Sequence, residues 1–297
     1  GNTRVMALLQ SETDGREYKA FKCQQCDLVF AFPIPQWSFE ALQGVYGSDY
    51  VEIQREHTGE QAKALRDAAN RQMDIVEGYV QKGLALNVGA MNGGIKVLEE
   101  RGWKLHMVEV SEIAAQTARK IWGFDVTVSR IEDYNCPPRT YDLVKLGHVI
   151  EHLADPRLAI KKIATMLKPR GVLVIDTDNA YGLRTLIEVS GRRLLGDKLS
   201  TSLVRLMTGK NIGKRYGRLG PPVHLYQFSE KNLVKLLTDS GFEVLNILKP
   251  AWGDPTWFPL TDRSRFSLAE RVFFRVDQFG AKLGLGDVIA VFARKCR

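Results

Sequence analysis

Apolar positions along the chain alternate between two periods. Short apolar runs at Leu84 to Val88, Leu105 to Val110, Asp125 to Arg130, from Tyr141 onward, and Gly171 to Asn179 predict five strands. Between and around them, apolar residues three and four apart predict helices over Thr58 to Gln81, Ile95 to Arg101, Ser111 to Trp122 and Pro156 to Leu167. Gly83, Gly102 and Gly123 read as helix stops, and Ser111 as an N-cap. Strands separated by helices make an α/β doubly wound sheet the economical fold. Further on, Ser229 caps a helix over Glu230 to Asp239, Gly241 ends it, and Phe242 to Leu248 reads as a strand. A helix over Leu268 to Leu283 then leads to a last strand, Asp287 to Ala293, and these two final strands form an antiparallel pair closing the sheet.

The first strand–helix–strand unit carries the chemistry. Val88 runs into a turn of small residues, Gly89-Ala-Met-Asn-Gly-Gly94, and the second strand ends on Glu109 and Val110. Small residues let backbone approach a ligand, the helix start offers free N–H groups, and an acid at the strand tip can accept both hydroxyls of a ribose. A dinucleotide fingerprint needs G-x-G-x-x-G. Met91 stands where its second glycine belongs, which disfavours a nicotinamide-dependent oxidoreductase.

Two later stretches add to this. Tyr141-Asp142 opens the fourth strand, which passes through Gly147 into His148-Val-Ile-Glu-His152-Leu-Ala-Asp-Pro156. The H-x-x-E-H spacing also fits an inverted zinc-protease motif, but that motif needs both histidines on one helix face, and here a strand leads in. Pro221-Pro-Val-His-Leu-Tyr-Gln-Phe-Ser229 brings His224 ahead of the following helix.

Taken together, these motifs resemble class I S-adenosylmethionine-dependent methyltransferases related to the ubiquinone-biosynthesis O-methyltransferase. The matches are the glycine turn, Glu109, Tyr141-Asp142, Glu151-His152-Leu153, Asp155-Pro156, the Lys168-Pro-Arg-Gly171 turn and the His224 string. The resemblance covers roughly residues 18–180 and 221–295. It implies a Rossmann-like, seven-stranded, mostly parallel sheet with the last strand antiparallel. It also implies S-adenosylmethionine as cofactor and a small-molecule acceptor, with O-methylation favoured. Asn87, Gly89, Ala90 and Gly93 would meet the methionine part, Glu109 and Val110 the ribose, and Ile131, Glu132 and Asp133 the adenine, with Gly147 beside them. His152 and His224, with His148 third, are the candidates for removing the acceptor's proton. Asn87 and Met91 depart from the family pattern and keep open a non-catalytic module of the same fold that serves a complex or a membrane.

Cys23-x-x-Cys26 is half of a four-ligand zinc site. The resemblance places an earlier pair upstream of Gly1, and zinc is expected only if that pair exists in a longer chain. The alternative is two unliganded thiols in a short hairpin. Residues 1–57 therefore read as an N-terminal appendage, a zinc-ribbon-like remnant followed by an aromatic lead-in that includes Tyr46, and 58–297 as the methyltransferase domain. Four cysteines in 297 residues and the absence of an apolar run long enough to span a bilayer point to a cytoplasmic protein.

Charge sharpens one region. Of a net +8, nearly all falls between Tyr181 and Pro222, where nine basic residues face only Glu188 and Asp197. Apolar residues at helical spacing run through the same stretch. Residues 180–222 thus form a basic helical insertion, open to three readings: a lid, a homodimer surface, or a peripheral contact with anionic lipid on the inner face of a membrane. Nucleic acid is disfavoured, because no recognition motif accompanies the charge.

Overall fold

The structure is a computed structural model that describes residues 2–11, 14–47, 59–89, 93–196, 219–221, 223–252, 254, 257 and 268–296. Its centre is a seven-stranded sheet of β4 (Leu84–Val88), β5 (Lys104–Glu109), β6 (Val126–Val128), β7 (Tyr141–Gly147), β8 (Leu167–Asp178), β10 (Phe242–Leu248) and β11 (Val288–Lys295). The spatial order is β10-β11-β8-β7-β4-β5-β6. The pairs among β4, β5, β6, β7 and β8 are parallel, while β11 runs antiparallel to both β8 and β10. The expected doubly wound, mostly parallel sheet with an antiparallel last strand is what forms.

Alternate residues of each central strand enter opposite layers, as the two-residue period requires. Leu86, Val144, Leu146, Leu173 and Ile175 face one layer with α5 (Pro156–Met166) and α7 (Glu230–Asp239). Ala85, Leu143, Val172 and Val174 face the other, together with Met73 and Val76 of α2 (Gly59–Glu77), Leu98 of α3 (Lys96–Glu100) and Ala115 and Ala118 of α4 (Glu112–Trp122).

The local signals hold where chemistry is short-range. Ser111 accepts from Ala114 N–H at the start of α4, and Gly123 ends that helix at φ 70°. Asp155 accepts from Leu158 N–H with Pro156 in the first turn, and Ser229 forms a reciprocal capping box with Asn232. Two boundaries differ. The long helix α2 stops at Glu77, not near Gly83. Gly83 serves another purpose: a Cβ there would lie 2.1 Å from Asp142 Oδ2, the same oxygen that accepts Leu84 N–H at 2.9 Å. β8 begins at Leu167, so the Lys168–Gly171 turn is already part of the strand.

At the N-terminus, β1 (Thr3–Gln10), β2 (Glu17–Cys23) and β3 (Val29–Phe32) make an antiparallel sheet whose fourth strand is β9 (Tyr226–Gln227). β9 pairs with β3 through Val29 and Gln227. Ala31 N–H donates to Leu225 O at 2.8 Å, and Leu225 N–H donates to Glu151 O at 2.9 Å. The segment bearing His224 is thereby sewn between the N-terminal sheet and the turn after β7. Cys23 and Cys26 sit at the β2–β3 turn, and no group of three metal-ligating side chains occurs among the described residues. Of the basic insertion, the described part is α6 (Leu183–Leu195) with its flanks; residues 197–218 and Pro222 lie outside the described residues.

Candidate active site

A cleft opens at the C-terminal ends of β4, β5 and β7, where an open α/β sheet presents ligand sites. Gly89, Glu109, Val110, Ile131, Glu132, His148 and His152 line it, joined by Trp37, Tyr46, Arg130 and Leu225.

On the β4–β5 side, Gly89 takes φ 62°, and a Cβ there would come within 2.8 Å of Val149 Cγ2, so the turn is cut to fit a glycine. Asn87 is buried, and its Nδ2 donates to Gly89 O at 2.7 Å. Its side chain therefore braces the turn. Gly93 begins the short helical turn that leads into α3, and Ala90 and Met91 lie outside the described residues. Glu109 is 3% exposed. Its Oε1 accepts Ser111 N–H at 2.9 Å, while Oε2 is buried with no hydrogen-bond partner among the described residues. Burial pushes this carboxyl up to about 7, outweighing the neighbouring backbone amides. A buried carboxylate oxygen left without a donor is the feature that fits a ribose hydroxyl pair. Ile131 is buried, Glu132 is raised by burial, and Asp133 lies on the same turn, its Oδ2 3.9 Å from Arg130 Nε.

The N-terminal segment closes this half. Gln43 of α1 (Phe39–Val45) donates to Val110 O at 2.6 Å and accepts from Glu112 N–H at 2.9 Å. Ser111 Oγ donates to Tyr46 O at 2.6 Å, and Arg130 donates to Trp37 O at 2.5 Å.

The β7–β8 side holds the histidines. β7 ends at Gly147, and a single tight helical turn, Ile150–His152, follows, so His148 and His152 share no helix face. His148 sits at φ 53° with Nδ1 3.1 Å from Oε1 of the fully buried Glu151. Burial opposes charge on this imidazole, but the Glu151 contact prevails and raises it to about 9. Glu151, likewise opposed by burial, is held low by His148. His152 is pushed down to about 4 by burial. Its ring centroid is 4.5 Å from that of His224 in an edge-on arrangement, and its Nδ1 lies 3.4 Å from the Tyr46 hydroxyl. His224 Nδ1 is 3.6 Å from Oδ2 of buried Asp178, whose Oδ1 accepts the Trp252 indole N–H at 3.2 Å. The structure thus brings all three candidate histidines together. It adds Asp178 and Trp252, which the linear pattern did not single out, and sets Glu151 of the matched Glu151-His152-Leu153 string against His148; the two acids closing the apolar run of β8, Asp176 and Asp178, were the available signal.

A family model described as a methyltransferase domain matches residues 81–247, more than half of the chain. The chain belongs to that family. It is 30% identical over 138 residues to the ubiquinone biosynthesis O-methyltransferase of Bradyrhizobium diazoefficiens, covering 39% of this chain and 49% of that protein. The chain thus spans about half the length of the curated relative it matches. Among solved structures it resembles a SAM dependent methyltransferase from Archaeoglobus fulgidus, with TM-score 0.50 and 18% identity over 77% of this chain and 94% of the other. A second, an S-adenosylmethionine dependent methyltransferase from Mesorhizobium loti, gives TM-score 0.50 and 13% identity over 77% and 98%. These two likenesses establish the fold.

Proposed function

We propose that this chain transfers a methyl group from S-adenosylmethionine to a small-molecule acceptor, with an acceptor hydroxyl favoured. The observation that carries the reading is the buried, unpartnered Oε2 of Glu109 at the tip of the second strand of the unit. S-adenosylmethionine supplies a methyl group on a sulfonium, open to in-line displacement. Glu109 holds the ribose hydroxyls, the Gly89 turn braced by Asn87 admits the methionine part, and Ile131, Glu132 and Asp133 enclose the adenine.

With the cofactor activated in this way, the chain's remaining task is to position the acceptor and take its proton. His224, backed by Asp178, is the first candidate for the base, and His152, which burial keeps neutral but only weakly basic, is the second. His148 is held as an imidazolium by Glu151 and acts as a fixed charge beside them. The favoured O-methylation is supported by the activity in the name of the Bradyrhizobium relative. The excess of basic residues in 180–222 favours an anionic or lipid-linked acceptor and peripheral contact with anionic lipid. No helix among the described residues is long and apolar enough to cross a membrane.

The deciding experiment is isothermal titration with S-adenosylhomocysteine. Micromolar binding that weakens by roughly a hundredfold in Glu109→Ala is expected; no binding at millimolar ligand overturns the reading.

A further inference from the structure

One helix carries a surface that the methyl-transfer site does not use. α8 (Leu268–Lys282) is held by its inner face. Asp277, fully buried, accepts Asp287 N–H at 2.9 Å and Trp252 N–H at 2.6 Å. Gly280 packs against α6, where an added Cβ would meet Leu183 Cβ at 2.7 Å. These contacts fix which side points outward. On that side Arg271, Val272, Arg275, Phe279 and Lys282 are exposed, and Leu283 continues the face just beyond the helix. At 3.6 residues per turn the six fall within about a third of the helix circumference.

The composition of this face is specific. Val272, Phe279 and Leu283 are 49%, 58% and 59% exposed. They lie along one flank, with Arg271, Arg275 and Lys282 along the other, and no carboxylate is among the six. The neighbouring α6 exposes Ile187 and, two turns on, Leu194 at 47% and 84%. Large apolar side chains left in water beside a row of cations form the pattern of an interfacial helix, whose apolar groups enter the headgroup boundary while long basic side chains reach anionic headgroups. A second copy of the chain fits poorly: twofold pairing through this face would bring the three cations of one copy against those of the other. The face also adjoins the site end of the sheet, since Leu183 N–H donates to Leu285 O at 2.7 Å and Val288 pairs with Asp178.

We propose that the outer face of α8, with the exposed stripe of α6, is a docking surface for an anionic lipid bilayer. Val272, Phe279 and Leu283 enter the headgroup region, and Arg271, Arg275 and Lys282 contact the anionic headgroups. This rests on the lipid contact proposed above for 180–222 and gives it a defined surface that extends beyond that stretch to α8.

The test is co-sedimentation of the purified chain with vesicles of equimolar phosphatidylcholine and phosphatidylserine, compared with phosphatidylcholine alone. Binding only to the anionic vesicles, weakening as salt rises, is expected. The triple variant Arg271→Gln, Arg275→Gln, Lys282→Gln should bind about a hundredfold more weakly, each cation contributing about fivefold. Phe279→Ser should lose roughly tenfold through its apolar area. Three results would overturn the proposal: equal binding to neutral vesicles, wild-type binding by the triple variant, or a lipid-free dimer that Phe279→Ser converts to monomer in light scattering. Each variant sits on the surface, and an unchanged thermal melt shows that it is folded. Because sedimentation needs no methyl transfer, a negative result here beside an intact S-adenosylhomocysteine titration rejects the surface and leaves the cofactor reading standing.

Discussion

On the β4–β5 side of the cleft one carboxylate, Glu109, is buried with one oxygen bonded to a backbone amide and the other to nothing among the described residues. On the β7–β8 side, by contrast, titratable groups meet each other: His148 with buried Glu151, and half-buried His224 with buried Asp178. The first wall stores an unmet hydrogen-bonding demand, which a ligand can satisfy. The second pairs its acids with imidazoles, although Oε2 of Glu151 is likewise buried without a hydrogen-bond partner among the described residues, and its geometry suits holding or moving a proton. The proposed function thus divides binding and chemistry between neighbouring strands of one sheet, and the division can be tested wall by wall.

The largest effect should come from the second wall. Replacing both His152 and His224 by Ala should lower kcat/KM by about 10²–10⁴, the span of a lost general base, while S-adenosylhomocysteine affinity stays near wild type. Unchanged turnover in the double variant would sink the base assignment. On the same wall, His148→Ala strands Glu151 as a fully buried acid and should destabilise the fold by about 3 kcal/mol in urea unfolding. The folded His148 is raised and Glu151 lowered. The pair's contribution is therefore complete between the unfolded values of the two groups, about pH 4.5 to 6.5. It is lost as pH rises through about 9 or falls far into the acid range.

The first wall predicts the opposite trade. Glu109→Ala should weaken S-adenosylhomocysteine by roughly a hundredfold, with two charge-assisted hydrogen bonds removed. Glu109→Gln should weaken it less and stabilise the ligand-free protein. A carboxyl raised to about 7 by burial binds a proton in the folded state that the unfolded state has already released above its own value. Stability therefore falls as pH rises from about 4.5 to about 7, and the amide should recover up to about 3 kcal/mol at pH 8 and nothing below about pH 4.5. Melting curves of the two proteins at both pH values check the sign. The smallest effect is expected at the seam between the walls and the N-terminal segment. Ser111→Ala removes the cap of α4 and the bond to Tyr46 O, and should cost about 1 kcal/mol.

What the linear chain disclosed follows the range of the forces involved. The apolar runs of the strands, the caps at Ser111 and Ser229, and the stop at Gly123 are set within a few residues, and they read directly. Glu109 and the glycine turn were legible because a strand tip and a helix start lie close in sequence. β9 was not, since two residues, Tyr226 and Gln227, are a strand only because Val29 and Phe30 wait beside them. Asp178 and Trp252 were missed for the same reason: an acid ending an apolar run gives no hint of the histidine from a distant loop that it will face. The resemblance of the His224 string singled out a residue that the fold places beside His152 and Asp178, and only the fold supplied those partners.

The β3–β9 pairing has a consequence for how the molecule assembles. Val29 and Gln227 bracket the five parallel strands β4 to β8, so their contact closes a very long loop, and its entropic cost is met only after the intervening strands have organised. The meeting of His152 and His224 depends on that closure, since Leu225 is anchored both to Ala31 and to Glu151. Refolding should therefore restore the central sheet, and with it the Glu109 pocket, before the histidine pair. A chain caught midway would hold the Glu109 pocket without the histidine pair that the proposed chemistry uses.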